Sequence, residues 1–478
     1  MDAVVGYKDS VEASFQQGDS AAEILYTFSE SSVLERQAKQ ESNARSYPRR
    51  IPLVLKKASG IYVEDEEGRR FIDCLAGAGS LALGHNHPVV KAAIQQVMDD
   101  DLPMLTLDLS TPIKDQFVQD LFSVFPGNFI DSAKIQFCGP AGTDATEAAL
   151  KLVRTATGRQ TVLSFQGGYH GMSQGALSLM GNLGPKAPLE GLLNHGVQFL
   201  PFPYDYRCPF GLGGEQGIKA NLNYLENLLN DPESGVLLPA AVIIEVVQGE
   251  GGVIPADIEW LQGLRRITEQ AGVALIVDEI QSGFGRTGHM FAFEAAGIVP
   301  DVVLLSKAVG GGLPMAVMLY RDWLDQWKPG AHAGTFRGNQ MAMAAGSAVI
   351  NYLKEHQLTD HAAEMGKRLV EHFTALQHIY PQLGNIRGRG LMLGVEMVNP
   401  DGEPDQQGHK PAWGKFASHV QRKCLERGLI IEVGGRHGSV VRFLPPLIIT
   451  ESEVDQVAAI FARAVAATVI EQKAEISH

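Results

Sequence analysis

The stretch "DVVLLSKAVGGGLPMAV" (301–317) runs through four apolar residues, Val302 to Leu305, into Ser306 and Lys307, and then into three consecutive glycines. An apolar run of strand length closed by glycine reads as a β-strand buried on both faces. Strands of that kind belong to parallel sheets covered by helices on both sides. A lysine at the end of such a strand sits where water is partly excluded. Its amine then has a lowered pKa and can act as a nucleophile toward a carbonyl.

The neighbouring sequence repeats the pattern. Short apolar runs "KIQFCG" (134–139), "TVLSFQ" (161–166), "AAVIIEVV" (240–247) and "VALIVDEI" (273–280) alternate with amphipathic segments such as "ATEAALKLVRTAT" (145–157) and "IEWLQGLRRITEQAG" (258–272). The expectation is an α/β protein with a mostly parallel sheet as the main layer. A large domain is expected over 117–345. Upstream, "GIYVEDEEGRRFIDCLAG" (60–77) alternates like a hairpin and "HPVVKAAIQQVMDD" (87–100) has helical spacing, so 48–116 reads as the start of a small domain and a linker helix. Downstream, a long helical stretch from about Gln340 to Ile379, strand-like "GRGLMLGVEMV" (388–398) and "SVVRFLPPLII" (439–449), and a last helix near Glu451 to Thr468 make 346–478 the rest of a smaller α+β domain. Residues 1–47 are polar, without a convincing apolar period, and read as an arm that packs on something else.

Composition narrows the partners. The chain has 478 residues, 40 basic and 54 acidic, for a net charge of −14, and the basic residues form no run that could follow a phosphate backbone. Nucleic acid is not expected. No apolar run approaches the roughly 20 residues of a membrane span, and the N-terminus lacks a basic, then apolar, leader pattern. The four cysteines are far apart, with no CxxC pair, so a cytoplasmic location without disulfides is expected. "GHNHP" (84–88) reads as a structural turn rather than a metal site, because no carboxylate or cysteine stands at ligand spacing. "GRGLMLG" (388–394) imitates a dinucleotide fingerprint but runs into a strand where that motif requires a helix.

In open parallel sheets the carboxyl ends of the strands carry the site. Asp278 follows one buried strand and Lys307 another. The bland reading is a structural salt bridge between them. A third strand end, "CGPAGTDATEAA" (138–149), opens a helix with Gly142 and Thr143, whose free N–H groups and dipole suit a phosphate. Tyr169 and His170 lie in a glycine-rich loop after a fourth strand, where an aromatic face could stack on a flat ring. Taken together, these features suit a planar, protonatable heterocycle bearing a phosphate and an aldehyde, namely pyridoxal phosphate.

At this point the chain resembles the class III pyridoxal-phosphate aminotransferases of fold type I, over about 45–449. The matching segments are "GYHG" (168–171), "VIIEVVQGEGG" (242–252), "DEIQSGFGRTG" (278–288), "SKAVGGGLP" (306–314), "GTFRGN" (334–339) and "VRFLPP" (441–446). The resemblance implies that Lys307 holds the cofactor, Asp278 pairs with the ring nitrogen and Gln281 sits beside the ring hydroxyl. It also implies that Gly142 and Thr143 bind the phosphate, that Tyr169 stacks with His170 beside it, and that the strand-end Glu245 belongs to the same cofactor site. Thr335 would reach the phosphate in a partner subunit, which implies a homodimer. Glu250 and Arg442 resemble the family's switch pair, the arginine binding a substrate carboxylate bidentately and the glutamate covering it otherwise.

Three departures from the family stand out. Val246 stands where many members have proline, a neutral change; the other two bear on substrate. Met172 replaces an arginine that several ω-aminotransferases use for a distal carboxylate, so another cation is needed, and "ESNARSYPRR" (41–50) offers Arg45, Arg49 and Arg50, with Arg45 taken as the candidate. Ala78 replaces the bulky aromatic of ornithine-type members. With "DCLAGAGSLALGHNHP" (73–88), these features look most like the branch of the family that moves the 4-amino group of L-2,4-diaminobutyrate to 2-oxoglutarate, giving aspartate 4-semialdehyde and glutamate. The alternatives are donors such as ornithine, acetylornithine or 4-aminobutyrate, or an aminomutase of glutamate-semialdehyde type.

Overall fold

The computed structural model describes residues 25–28, 31–193 and 196–476. The first 24 residues of the expected arm lie outside it, as do 29 and 30. Seven strands form the central sheet: β1 (Ala133–Phe137), β2 (Val162–Phe165), β3 (Val197–Leu200), β4 (Ala241–Ile244), β5 (Ala274–Asp278), β6 (Val302–Leu305) and β7 (Val317–Arg321), in the order β3-β2-β4-β5-β6-β7-β1. All neighbours are parallel except β7, which runs antiparallel to both β6 and β1. The expected mostly parallel α/β layer is therefore present.

Burial explains the sequence pattern. β2, β4, β5 and β6 are buried at every position, whereas the edge strands β1 and β3 are mostly half-buried. Alternate residues serve two cores. Ala241, Ile243, Ile276 and Leu304 pack with Ala145, Ala149, Leu152 and Val153 of the helix Gly142–Thr157, while Val242, Ile244, Val277 and Leu305 face a larger core with Phe165, Trp260 and Phe291. A strand buried on both faces has no polar side to reveal its period, which is why it reads as a continuous apolar run.

The sequence pattern passed over β3 and β7. "VQFL" (197–200) is half-buried at three of its four positions, so its apolar signal is diluted, and "VMLYR" (317–321) follows the glycine triplet too closely to stand apart. The helical stretch from Gln340 to Ile379 is two helices, Gln340–Glu355 and Leu358–Ile379, separated where Gln357 takes φ +49°. The last helix continues beyond Thr468, to Ile476. Boundaries at 116/117 and 345/346 fall inside the helices Pro112–Phe122 and Gln340–Glu355.

Two smaller sheets flank the site. In one, Leu55–Ser59, Tyr62–Asp65 and Arg70–Asp73 form an antiparallel meander, and the distant Leu429–Ile430 joins it parallel to the third strand. In the other, Leu383–Arg389, Met392–Met397, Val440–Phe443 and Glu432–Gly434 pair antiparallel, with Arg442 directly opposite Glu432. The "GRGLMLG" segment is thus the turn of a hairpin. In the "GHNHP" turn, His85 bonds Asp73 at 2.8 Å and Asn86 donates to the carbonyl of Ala58. His87 precedes the helix Pro88–Asp99 and meets Tyr352 edge-on. The arm packs at two places: Tyr26 and Phe28 on Phe71, and the short helix Tyr47–Arg50 against the strand Glu432–Gly434. No helix among the described residues is long and apolar enough to cross a membrane.

Candidate active site

The carboxyl ends of the central strands converge on a cavity of about 290 Å³, lined among others by Gly142, Thr143, Tyr169, His170, Met172, Glu245, Glu250, Asp278, Gln281 and Lys307. Ten of the twelve residues marked from the sequence are thereby placed, the tenth being Arg442 through its bond to Glu250. Thr335 and Arg45 lie elsewhere in the chain's own fold.

Lys307 follows β6 in a left-handed conformation, φ +50°, which is strained for a residue with a side chain. Ser306 anchors the turn, its hydroxyl donating 2.9 Å to the carbonyl of Met315. Burial is the main force on the Lys307 amine and brings its pKa down to about 8, against the opposing charge of Glu250. Among the described residues its Nζ has no hydrogen-bond partner and no carboxylate within ion-pair distance, so the salt bridge with Asp278 offered as the bland reading does not form.

Asp278 closes β5, 4% exposed. Its Oδ2 accepts from His170 Nδ1 at 2.8 Å and its Oδ1 from the amide of Ile280 at 3.1 Å. Burial depresses the His170 pKa, but the bond and charge of Asp278 outweigh it and hold the pKa above its ordinary value. His170 is therefore a buttress for the carboxylate. Glu245, after β4, is pushed up to about 7 by burial while it accepts from the amides of Tyr169 (2.9 Å) and Gly249 (3.1 Å), tying two loops together. Tyr169 is 37% exposed and borders the cavity.

The helix Gly142–Thr157 starts without a side-chain cap, so the N–H groups of Gly142 and Thr143 are open at the cavity wall. A side chain at 142 would meet Ile280 Cδ1 at 2.8 Å, so glycine allows this approach without moving Ile280. The Thr143 hydroxyl bonds that of Ser173 at 2.5 Å. Gln281 donates to the carbonyl of Ala78 at 3.1 Å, and a side chain at 249 would push its amide out of this position.

Arg442 is 2% exposed and donates from Nη1 to Glu250 Oε1 (2.8 Å) and to the carbonyl of Gly249 (3.0 Å). Burial acts to raise the Glu250 pKa, but the charge and hydrogen bond of Arg442 outweigh it and hold the pKa below its ordinary value, so the carboxylate stays ionised. Of the three arginines in the 41–50 stretch, Arg45 lies 3.7 Å from Glu41 and Arg49 donates to Asn43. Arg50 is the one that reaches the second sheet, bonding Glu432 Oε1 (2.8 Å) and the carbonyl of Val433 (3.1 Å). Tyr47 sits beside the same carboxylate, its pKa pushed up to about 12 by burial and then by Glu432. Sequence reasoning missed Glu432 and Tyr47. The available signal was a lone carboxylate inside the apolar "LIIEVG" (429–434), which needs a buried partner.

An unpaired, partly neutral amine, an uncapped helix start and a buttressed carboxylate around one cavity fit pyridoxal phosphate. The fold and this site define a class of enzymes, the transaminases built on that cofactor. The chain belongs to the class-III aminotransferases, whose family model matches residues 43–465. It is 58% identical over 431 residues to a diaminobutyrate–2-oxoglutarate aminotransferase of Rhizobium meliloti, covering 90% of this chain and 92% of the relative. It is 51% identical to the one of Haemophilus influenzae, covering 88% and 92%. Among solved structures it resembles a PLP-bound amine transaminase from an uncultivated Pseudomonas species, with TM-score 0.78, 28% identity, and coverage of 89% of this chain and 96% of that one. It also resembles a thermostable omega transaminase from Pseudomonas jessenii, with TM-score 0.80, 29% identity, and coverage of 92% and 99%.

Proposed function

We propose that this chain moves the 4-amino group of L-2,4-diaminobutyrate to 2-oxoglutarate, giving L-aspartate 4-semialdehyde and L-glutamate, reversibly. The observation that carries the reading is the buried Arg442–Glu250 pair beside Lys307. Such a pair serves a site that takes two substrates in turn, one with a carboxylate next to the reacting carbon and one without. The two relatives named for this reaction support the choice of donor.

Pyridoxal phosphate, when bound, supplies an electrophilic carbon and an electron-withdrawing ring. Lys307 would hold it, and its amine is the group placed to accept the proton lost from the amino-bearing carbon of the substrate. A pKa near 8 leaves a useful fraction of that amine neutral. Asp278 would keep a proton on the ring nitrogen, and His170 holds the Asp278 carboxylate in place. Glu245 fixes the loops that carry Tyr169 and Gly249, and Tyr169 and Gln281 would help to hold the ring. Gly142 and Thr143 take the phosphate. Arg442 binds the α-carboxylate of glutamate or 2-oxoglutarate when Glu250 turns away, and Glu250 covers it when the diamino acid is bound.

The assembly in this reading is a homodimer, with Thr335 reaching the phosphate of the partner. Support comes from an exposed apolar face: Thr335 is exposed, Phe336 is 61% exposed, and Leu105, Leu107 and Leu109, between 41% and 68% exposed, flank the same turn through the Leu105–Asn339 bridge. The compartment is the cytoplasm, in keeping with four free cysteines. The deciding experiment offers a panel of amines with 2-oxoglutarate and measures glutamate. L-2,4-diaminobutyrate should give the highest kcat/KM, and a tenfold better ornithine, acetylornithine or 4-aminobutyrate would replace it as donor.

A further inference from the structure

The distal end of the donor is the part of the reaction still without a partner. Met172 is neutral, and Arg45 points its charge to Glu41. Beyond Arg442 the structure holds an unusual group. The Glu432 side chain is 2% exposed; its Oε1 accepts from Arg50 Nη1 at 2.8 Å and from the amide of Val433 at 3.2 Å, and the Tyr47 hydroxyl stands beside the carboxylate. Oε2 is buried with no hydrogen-bond partner, and so is Nε of Arg442, directly across the strand pair. A buried, half-satisfied carboxylate costs stability unless it has a use. Arg50 is 38% exposed, and among the described residues its Nε and Nη2 donate to nothing. A cation with open donors thus stands next to an anion with an open acceptor, close enough to the cavity-wall residue Glu250 for Arg50 to lower its pKa.

That combination is complementary to a zwitterion. From it we infer that Glu432 and Arg50 form a receptor for the α-amino-acid head of the donor: Glu432 Oε2 accepts from the α-ammonium, and Arg50 donates to the α-carboxylate. The inference rests on the reading of the chain as a diamino-acid transaminase and names the residues that select such a donor. The selection follows from exchange of partners. A donor with a carboxylate alone would draw Arg50 from Glu432 and leave a buried carboxylate unpaired, which is costly. A donor that brings its own ammonium replaces what it removes. Discrimination therefore depends on Glu432 at least as much as on the arginine, and the same pocket disfavours ω-amino acids that lack an α-amine.

Three donors with the same reacting amine separate the two contributions: L-2,4-diaminobutyrate has both groups, 4-aminobutyrate only the carboxylate, and propane-1,3-diamine only the ammonium. Single-turnover kcat/KM is measured for each, and for glutamate, in wild-type holoenzyme, Glu432→Gln and Arg50→Gln. In Glu432→Gln the preference for L-2,4-diaminobutyrate over 4-aminobutyrate should fall by about tenfold or more, with most of the change in KM. In Arg50→Gln both carboxylated donors should lose about tenfold relative to the diamine. Donor ratios within about twofold of wild type, or equal losses for all donors and glutamate, would overturn the inference, since a merely structural pair moves every substrate together. If Glu432→Gln does not fold, the half-exposed Arg50→Gln decides alone. Failure of the underlying reading looks different: wild-type enzyme would ignore L-2,4-diaminobutyrate, and the same ratios would then be taken with the donor it prefers and its des-amino analogue.

Discussion

His170 Nδ1 lies 2.8 Å from Asp278 Oδ2, both side chains almost fully buried, at the carboxyl ends of two different strands of the central sheet. The pair means that Asp278 does not face the cavity as a bare carboxylate. One oxygen is held by a ring whose proton affinity the carboxylate itself raises, and the other by a backbone amide. A charge so fixed can impose protonation on a ring nitrogen without moving.

Asp278→Asn should therefore leave some cofactor bound but cost most of the turnover. Breaking a buried charge pair costs about 3–5 kcal/mol, and each ~1.4 kcal/mol in the barrier is a tenfold loss. The expected drop in kcat is about two to four orders of magnitude. A variant within tenfold of wild type would mean that the carboxylate does not act on the ring.

Lys307→Ala should abolish transamination and the absorbance that the lysine-bound cofactor gives. The pH dependence follows from the lowered pKa. Because burial favours the neutral amine, Lys307 is mostly protonated below about pH 8 and mostly free above it. Capture of pyridoxal phosphate by apoprotein should accelerate about tenfold from about pH 7 to about pH 9 and then level off. A profile still rising past pH 10 would mean an ordinary, solvated lysine.

Arg442→Ala should damage the glutamate half-reaction far more than the diaminobutyrate half-reaction, since only glutamate places a carboxylate next to the reacting carbon. Loss of a bidentate, charge-assisted contact corresponds to roughly a hundredfold in kcat/KM. Equal losses in the two half-reactions, measured in single turnovers, would rule out exchange between Arg442 and Glu250.

Leu107→Glu tests the exposed apolar face. Leu107 is 49% exposed and its backbone surrounds Gly338, next to Thr335. A charge there should shift the protein toward monomer in sedimentation and weaken cofactor retention with it. A variant that stays dimeric would place the subunit contact on another face.

Much of the site was legible in the sequence because its residues sit at strand ends, and strand ends are marked by an abrupt change from apolar residues to glycine or charge. Asp278 and Lys307 follow apolar runs, while Gly142 and Thr143 open a helix immediately after another strand. Local pattern settles such positions, since a buried strand has one direction and one end. The mostly parallel sheet was legible for the same reason, except for the half-buried edge strand Val197–Leu200 and the antiparallel Val317–Arg321.

What only the tertiary structure decided is which distant charges meet. Arg45, Arg49 and Arg50 are equivalent in the sequence, yet Arg50 alone reaches the strand Glu432–Gly434, 382 residues away, because the short helix Tyr47–Arg50 directs it there. Glu432 faces Arg442 through strand register, a property of the paired sheet and not of either segment. His170 became a support for Asp278 because β2 and β5 are held in one sheet by β4 between them. The sequence determined the chemistry available at each strand end. Packing determined the pairings, because burial penalises every unpaired charge and the fold selects the partner that satisfies it.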